Sequence, residues 1–240
     1  MRKLAVLLIC WIGLTGAAST SFDGANDDVQ MGDVLDVSTG NVSVCAWAKM
    51  TEDAGGDFIL SKRSNTGAGD EGYVLRQVSD DQADFTVNDG SASYSSRLTD
   101  IDGAWYGMIG TWDATDEITE LFLNGASVDS DDHTGVGSIT STGTVLAFGE
   151  GNGANEDVTG LIAYGAVFKD SDFTVKEALV FQFYPCLAAS NFEADGFWPL
   201  WGADATEFDR AAGSTGTISN ATTSADGPPV ALWASMRGAK

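Results

Sequence analysis

Val42, Val44, Ala46 and Ala48 alternate with Ser43, Cys45, Trp47 and Lys49. A strand turns successive side chains to opposite faces, so this period of two sets the first group against a core. Similar apolar stretches recur at Phe58 to Ser61, Tyr73 to Val78, Asp84 to Val87, Trp105 to Trp112, Thr119 to Leu123, Thr144 to Phe148 and Leu161 to Phe168. Turn formers fill the gaps at 64–72 (SNTGAGDEG), 129–137 (DSDDHTGVG) and 149–160 (GEGNGANEDVTG). Many short strands punctuated in this way predict an all-β, two-sheet antiparallel sandwich. One short helix is predicted where Thr174 and Glu177 make a T-x-x-E capping box ahead of Val180, Phe181 and Tyr184, with Pro185 as its stop.

Composition narrows the partners more than the fold. The 240 residues carry 26 Asp and 9 Glu against 12 Lys and Arg, a formal net charge of -23. The basic residues are scattered, so the field repels phosphate and excludes a nucleic-acid partner. Divalent cations, neutral glycans or simply a solvated acidic surface fit such a field.

Arg2 and Lys3 precede an apolar run from Leu4 to Leu14, and Gly16, Ala17, Ala18 and Ser19 follow. That order predicts a secretory signal peptide over residues 1–19, cleaved near Ala18 or Ser19, and a secreted or particle-surface location. The run is too short for a membrane span, which needs about 20 residues, so none is expected in the mature chain. Cleavage leaves two cysteines, Cys45 and Cys186. They either pair in an oxidising compartment or remain two small buried thiols.

SFDGANDDVQMG (21–32), NVSVCAWAKM (41–50), WYGMIGTWD (105–113), LFLNG (121–125), VLAFGEG (145–151) and GLIAYGAVFKDSDFTVKEAL (160–179) resemble, piece by piece and in order, the laminin G-like jelly rolls of the concanavalin A-like lectin and glucanase superfamily. The resemblance implies a jelly-roll sandwich. Two departures stand out. Gly160–Gly165 lacks the acidic pair the family carries on its closing strand, so no role of that pair transfers. DGFWPLWGADATEFDRAAGSTGTI (195–218) resembles a segment that ordinarily precedes the FDG strand, yet here it comes last. Residues 20–240 are therefore expected to form one domain in which 192–230 complete the sandwich as a permuted element, in preference to a separate appendage. Phe197, Trp198, Leu200 and Trp201 are too apolar for a tail without a core.

No constellation supports catalysis. The E-x-D-x-x-E strand of the superfamily's glucanases is absent, Asp113, Asp116 and Glu117 sit in a turn, and Glu193 and Asp195 have no third acid at the required spacing. The single histidine, His133, has no cysteine beside it to make a zinc site, and the loop from Asp129 puts Thr134 and Thr140 where an EF-hand needs Gly and Glu. Asp- and Gly-rich loops do supply the six to eight oxygens that calcium wants. By resemblance, a structural calcium would take Asp23, Asp27, Asp28 and Asp209, with Glu156 and Asp157 as second choices; alternatively Asp27 and Asp28 only shape a turn. Sugar binding needs a stacking ring and fixed polar groups. Trp47, on the strand face opposite the valines, is a candidate beside Arg76, Tyr94 and Trp112, with packing under a loop as the alternative.

These readings converge on a secreted, non-catalytic module that binds a glycan or a surface protein. The competing class is a structural subunit of a virion or cell surface that self-associates, and a glycoside hydrolase is the weakest alternative.

Overall fold

The computed structural model describes residues 18–51, 56–63, 71–79, 81–99, 103–139, 143–150, 157–183, 185, 188, 191–200, 206–207, 210–211 and 213–229. The leader through Ala17, Thr140, Glu156, Tyr184, Cys186, Trp201 and Asp209 lie outside the described residues. The strands, in chain order, are β1 (Ser19–Asp23), β2 (Asp28–Gln30), β3 (Val42–Met50), β4 (Phe58–Lys62), β5 (Gly72–Ser79), β6 (Gln82–Asn88), β7 (Ser93–Thr99), β8 (Tyr106–Asp113), β9 (Ile118–Leu123), β10 (Ala126–Asp132), β11 (Ala147–Phe148), β12 (Thr159–Lys169), β13 (Gly196–Trp198), β14 (Thr206–Glu207), β15 (Gly216–Ser219) and β16 (Thr222–Ser224). The helix α1 covers Val175–Phe183 between β12 and β13.

The strands make two antiparallel sheets. The first runs β10-β9-β8-β3-β12-β1-β16, with β13 also paired to β12. The second runs β14-β15-β2-β11-β4-β5-β6-β7. Val42, Val44, Ala46 and Ala48 point into the space between them with Phe85, Phe148, Leu75 and Trp198. Small residues on β3 and its neighbours make room for the large ones opposite. A Cβ on Gly110 would lie 2.1 Å from the Phe85 ring, and one on Gly165 would lie 2.1 Å from Phe148, so the glycines let the second sheet's rings press onto the first.

The other face of β3 is buried too. Cys45 and Trp47 pack with Ile109, Phe122, Phe168, Phe181 and Phe197 in a second apolar layer. α1 contributes Ala178 and Phe181 to it. Its capping box forms: the Thr174 backbone N–H donates to Glu177 Oε2 at 2.8 Å, and the Glu177 N–H reaches Thr174 Oγ1 at 3.4 Å. Pro185, expected to stop the helix, is itself helical, as are Ala188 and Asn191 beyond it.

β12 is flanked by β3 along one side. Along the other, β1 pairs with Thr159–Ile162 and β13 with Gly165–Val167, so the first strand and a late one share a single edge. β16 then pairs with β1, and β15 with β2. Trp198 is fully buried: its indole N–H donates to the Ser214 carbonyl at 3.0 Å, and its ring meets Phe148 edge-on at 5.7 Å. At the other end, Ser19 Oγ donates to the Asp226 carbonyl at 2.6 Å. The Asp226 carboxylate accepts from Lys49 Nζ at 2.7 Å and Trp105 Nε1 at 3.1 Å.

Two sequence expectations need correction. Residues 129–132, read as turn because of their acids, belong to the edge strand β10; charge on an edge strand discourages pairing with other chains, so the acids suit that place. Thr144 to Phe148 narrows to the two residues of β11, and β7, with its run of serines, lies outside every predicted segment.

Candidate functional site

The outer face of the second sheet holds the densest array of fixed polar groups. On β6, Ala83, Phe85 and Val87 enter the core, so Asp84, Thr86 and Asn88 must face outward. Register aligns them with both neighbours. Asp84 stands between Arg76 of β5 and Arg97 of β7, Thr86 between Val74 and Ser95, and Asn88 between Gly72 and Ser93.

Asp84 is completely buried beneath its partners. Arg76 grips it in fork geometry, Nε to Oδ1 at 2.8 Å and Nη2 to Oδ2 at 3.1 Å, and Arg97 Nη2 reaches Oδ2 at 2.9 Å. The Thr86 hydroxyl donates to Oδ1 at 3.2 Å. Next along the face, Ser93 Oγ accepts from Asn88 Nδ2 at 2.8 Å and from Arg63 Nη2 at 3.2 Å. The Arg97 side chain remains 45% exposed, against 16% for Arg76. Thr86 and Asn88 are, like Asp84, fully buried, and Arg63 nearly so; the named groups this face presents to solvent are the Arg97 guanidinium and Ser93, held from beneath by the buried network.

Of the four residues proposed for sugar contact, only Arg76 stands on this face. Tyr94 alternates with the outward Ser93 and Ser95, so its ring turns inward against the core and tilts on His133 at 5.2 Å. Its hydroxyl donates to Asp89 Oδ2 at 3.3 Å. Trp112 is 3% exposed in the central core, and Trp47 is 2% exposed in the layer that contains α1. Neither tryptophan can stack on a sugar there, and the four do not meet. Period two identified the face Trp47 occupies but not the helix that covers it. The Asp84 column was missed, although Asp-x-Thr-x-Asn between Phe85 and Val87 is a legible signal, because Asp is disfavoured within strands unless its position has a use.

A second cluster joins the β1–β2 turn to the segments flanking 151–156. Asp27 Oδ2 accepts from the Asp23 N–H at 2.6 Å, and Asp157 Oδ2 from the Asn26 N–H at 3.1 Å. Gln30 Nε2 donates to Asp28 Oδ2 at 2.6 Å and more weakly to Glu150 Oε2 at 3.4 Å. Asp27 and Asp28 are both buried, and each leaves its Oδ1 without a hydrogen-bond partner. Burial, with the nearby Asp23, raises the Asp27 carboxyl above the ordinary range. Glu150, sharing a hydrogen bond with Asp28 and partly desolvated, is pushed up to about 7. Orphaned buried oxygens and acids that hold protons mark a local excess of negative charge, which suits a cation. Among the described residues, however, no three such groups converge on one point. The aspartates alone do not complete a cation cage.

The profile of the concanavalin A-like lectin/glucanases superfamily matches residues 23–172. No curated protein matches the chain in sequence. Among solved structures, a putative carbohydrate binding protein from Bacteroides ovatus superposes with a TM-score of 0.65 at 14% identity, covering 91% of this chain and 62% of that one. The native heptameric SAP-like pentraxin from Limulus polyphemus gives 0.53 at 15% identity, over 69% of this chain and 82% of that one. The ligand binding domain of botulinum neurotoxin serotype D, in complex with N-acetylneuraminic acid, gives 0.50 at 13% identity, over 68% and 45%. The chain thus spans less than two thirds of the Bacteroides and toxin chains. These likenesses are of fold.

Proposed function

The chain belongs to the laminin G-like family of the concanavalin A-like lectin and glucanase superfamily, and from that premise we propose that it is a secreted, non-catalytic module that binds carbohydrate on the outer face of its second sheet. The observation that carries this reading is the in-register column Arg76–Asp84–Arg97 with Thr86, Asn88 and Ser93 beside it. Arg97, the member the column leaves exposed, is pre-ordered by its bond to the buried Asp84, so a ligand meeting it pays little to immobilise that side chain. The one carboxylate of the column is sequestered by two guanidinium groups and cannot act as a general acid, which favours binding over hydrolysis.

Calcium is proposed at the acidic edge, with the free Oδ1 atoms of Asp27 and Asp28 as ligands and the further oxygens drawn from neighbouring loops. Its task there is structural, quenching the repulsion among Asp23, Asp27, Asp28, Glu150 and Asp157.

The competing reading, a self-associating structural subunit, draws on Val175 and Leu179, exposed one turn apart on α1. A glycan array probed with and without calcium separates the two. Saturable binding to one sugar class, abolished by Ser95→Trp, supports the module. Polymers formed on adding calcium, with no sugar signal, overturn it. Export is checked by N-terminal sequencing of the secreted protein, expected to begin near Ser19.

A further inference from the structure

The sequence holds two Asn-x-Ser/Thr triplets, Asn41-Val42-Ser43 and Asn220-Ala221-Thr222. Such a triplet is the acceptor for an N-linked glycan where a chain passes through a secretory compartment. Resting on the export proposed above and not on the sugar-binding face, we infer that Asn220 is an N-glycosylation site, that Asn41 is not, and that the glycan screens the outer edge of the first sheet.

The two asparagines differ in what their amides already do. Asn41 is half-buried ahead of β3 and ties two loops together. Its Oδ1 accepts from the Ala114 N–H at 2.8 Å, and its Nδ2 donates to Asp172 Oδ1 at 3.0 Å. Ser43, the third member of that triplet, is fully buried, and its hydroxyl donates to the Ser171 carbonyl at 2.9 Å. A sugar on Asn41 would have to lie where these loops close on the side chain, so a chain carrying one cannot complete this packing.

Asn220 stands exposed in the turn between β15 and β16. Its φ of 57° lies in the left-handed region, which asparagine tolerates better than most side chains, and the Ala221 N–H closes the turn on the Ser219 carbonyl at 2.6 Å. Nδ2 donates one hydrogen to the Asn26 carbonyl at 2.8 Å. A primary amide carries two, so the other is open to substitution while the bond to Asn26 survives. Thr222 is exposed as well. In the transfer, Nδ2 bonds to the anomeric carbon of a polyprenyl pyrophosphate-linked oligosaccharide. The bond from that carbon to the pyrophosphate oxygen breaks, the lipid pyrophosphate leaves with the electron pair, and one amide proton is lost to solvent.

The position gives the glycan a task. Among the described residues, β10 and β16 are the outer strands of the first sheet. β10 carries Asp129, Asp131 and Asp132, whereas β16 is Thr-Thr-Ser, without charge and with both threonines exposed. An uncharged edge is open to pairing with other chains. A hydrated glycan just upstream of Thr222 occupies the space an incoming strand needs.

The full chain is expressed in a eukaryotic secretory cell line behind its own leader and, in parallel, behind a leader of proven function. Peptide mapping after peptide N-glycosidase, which leaves aspartate at each occupied asparagine, reads the occupancy. Asn220 is expected to carry glycan tenfold or more often than Asn41. Asn220→Gly, which keeps the left-handed turn, and Thr222→Val, which keeps the strand, should each remove it while melting stays cooperative. Both variants should also self-associate in sedimentation at concentrations where the glycosylated parent is monomeric. Secreted protein that is bare at Asn220, or as fully occupied at Asn41, overturns the site. Occupancy of Asn220 behind the proven leader alone overturns export and leaves Asn220 a competent acceptor. Identical sedimentation of parent and variants overturns the screening of β16.

Discussion

Replacing Trp198 with alanine tests whether the late ribbon is part of the sandwich or an attachment to it. The side chain is fully buried, meets Phe148 edge-on, and donates to the Ser214 carbonyl. Truncating a buried tryptophan to alanine costs about 3–5 kcal/mol, from lost transfer energy and the cavity left behind. Against a total of roughly 5–15 kcal/mol for a native protein, that is a large share. At about 2–4 °C per kcal/mol for a chain of this size, the melting temperature should fall by roughly 6–20 °C. Trp198→Phe keeps most of the packing but loses the hydrogen bond to the Ser214 carbonyl, and should cost about 1–3 kcal/mol. The assay is urea unfolding followed by far-UV and near-UV circular dichroism, which should report one coincident transition moved to lower urea. Phe148 lies on β11 in the middle of the second sheet, so no purely local rearrangement absorbs the loss. A sandwich transition at an unchanged midpoint, with a separate small transition for the ribbon, would refute the reasoning.

Glu150 should make stability depend on pH in the absence of calcium. Its folded-state pKa of about 7 lies above the ordinary 4.5, so the native form holds this proton more tightly. Stability from this group is therefore full below about 4.5 and lost as pH rises through 7. The unscreened ceiling is about 3 kcal/mol, and solvent at this half-exposed edge reduces it to about 1 kcal/mol. In EDTA, Glu150→Gln should match the parent at pH 4.5 and melt higher at pH 8; parallel melting curves across that range would contradict it. Asp84→Ala leaves two guanidinium groups facing each other, and should cost about 1–3 kcal/mol by denaturant unfolding after allowance for their exposure, whereas a change below 0.5 kcal/mol would mean the column is not held by its acid. Gly165→Ala sets a methyl against the Phe148 ring and should cost about 1–3 kcal/mol by the same method; a neutral result would show that the ring has room to move.

The fold was legible because its signals are local. Alternation over Val42–Ala48 assigned the inner face of β3, and the Thr174–Glu177 pair marked the start of α1. The site was not, because it depends on register between strands. Nothing near Asp84 in the chain states that Arg76 and Arg97 will stand on either side of it, since both neighbours are fixed by hairpin geometry. Trp47 failed for a related reason. An outward position on a strand is exposed only where no further layer lies above, and here α1 supplies one. The acids of β10 misled in the opposite direction, since Asp129, Asp131 and Asp132 suit a turn by propensity but serve an edge strand just as well.

The hydroxyl of Ser19 touches the backbone of Asp226, so the two ends of the described residues lie at one corner. A unit wired in this way can be spliced into a surface loop of a host protein with two short tethers and little disturbance to either partner.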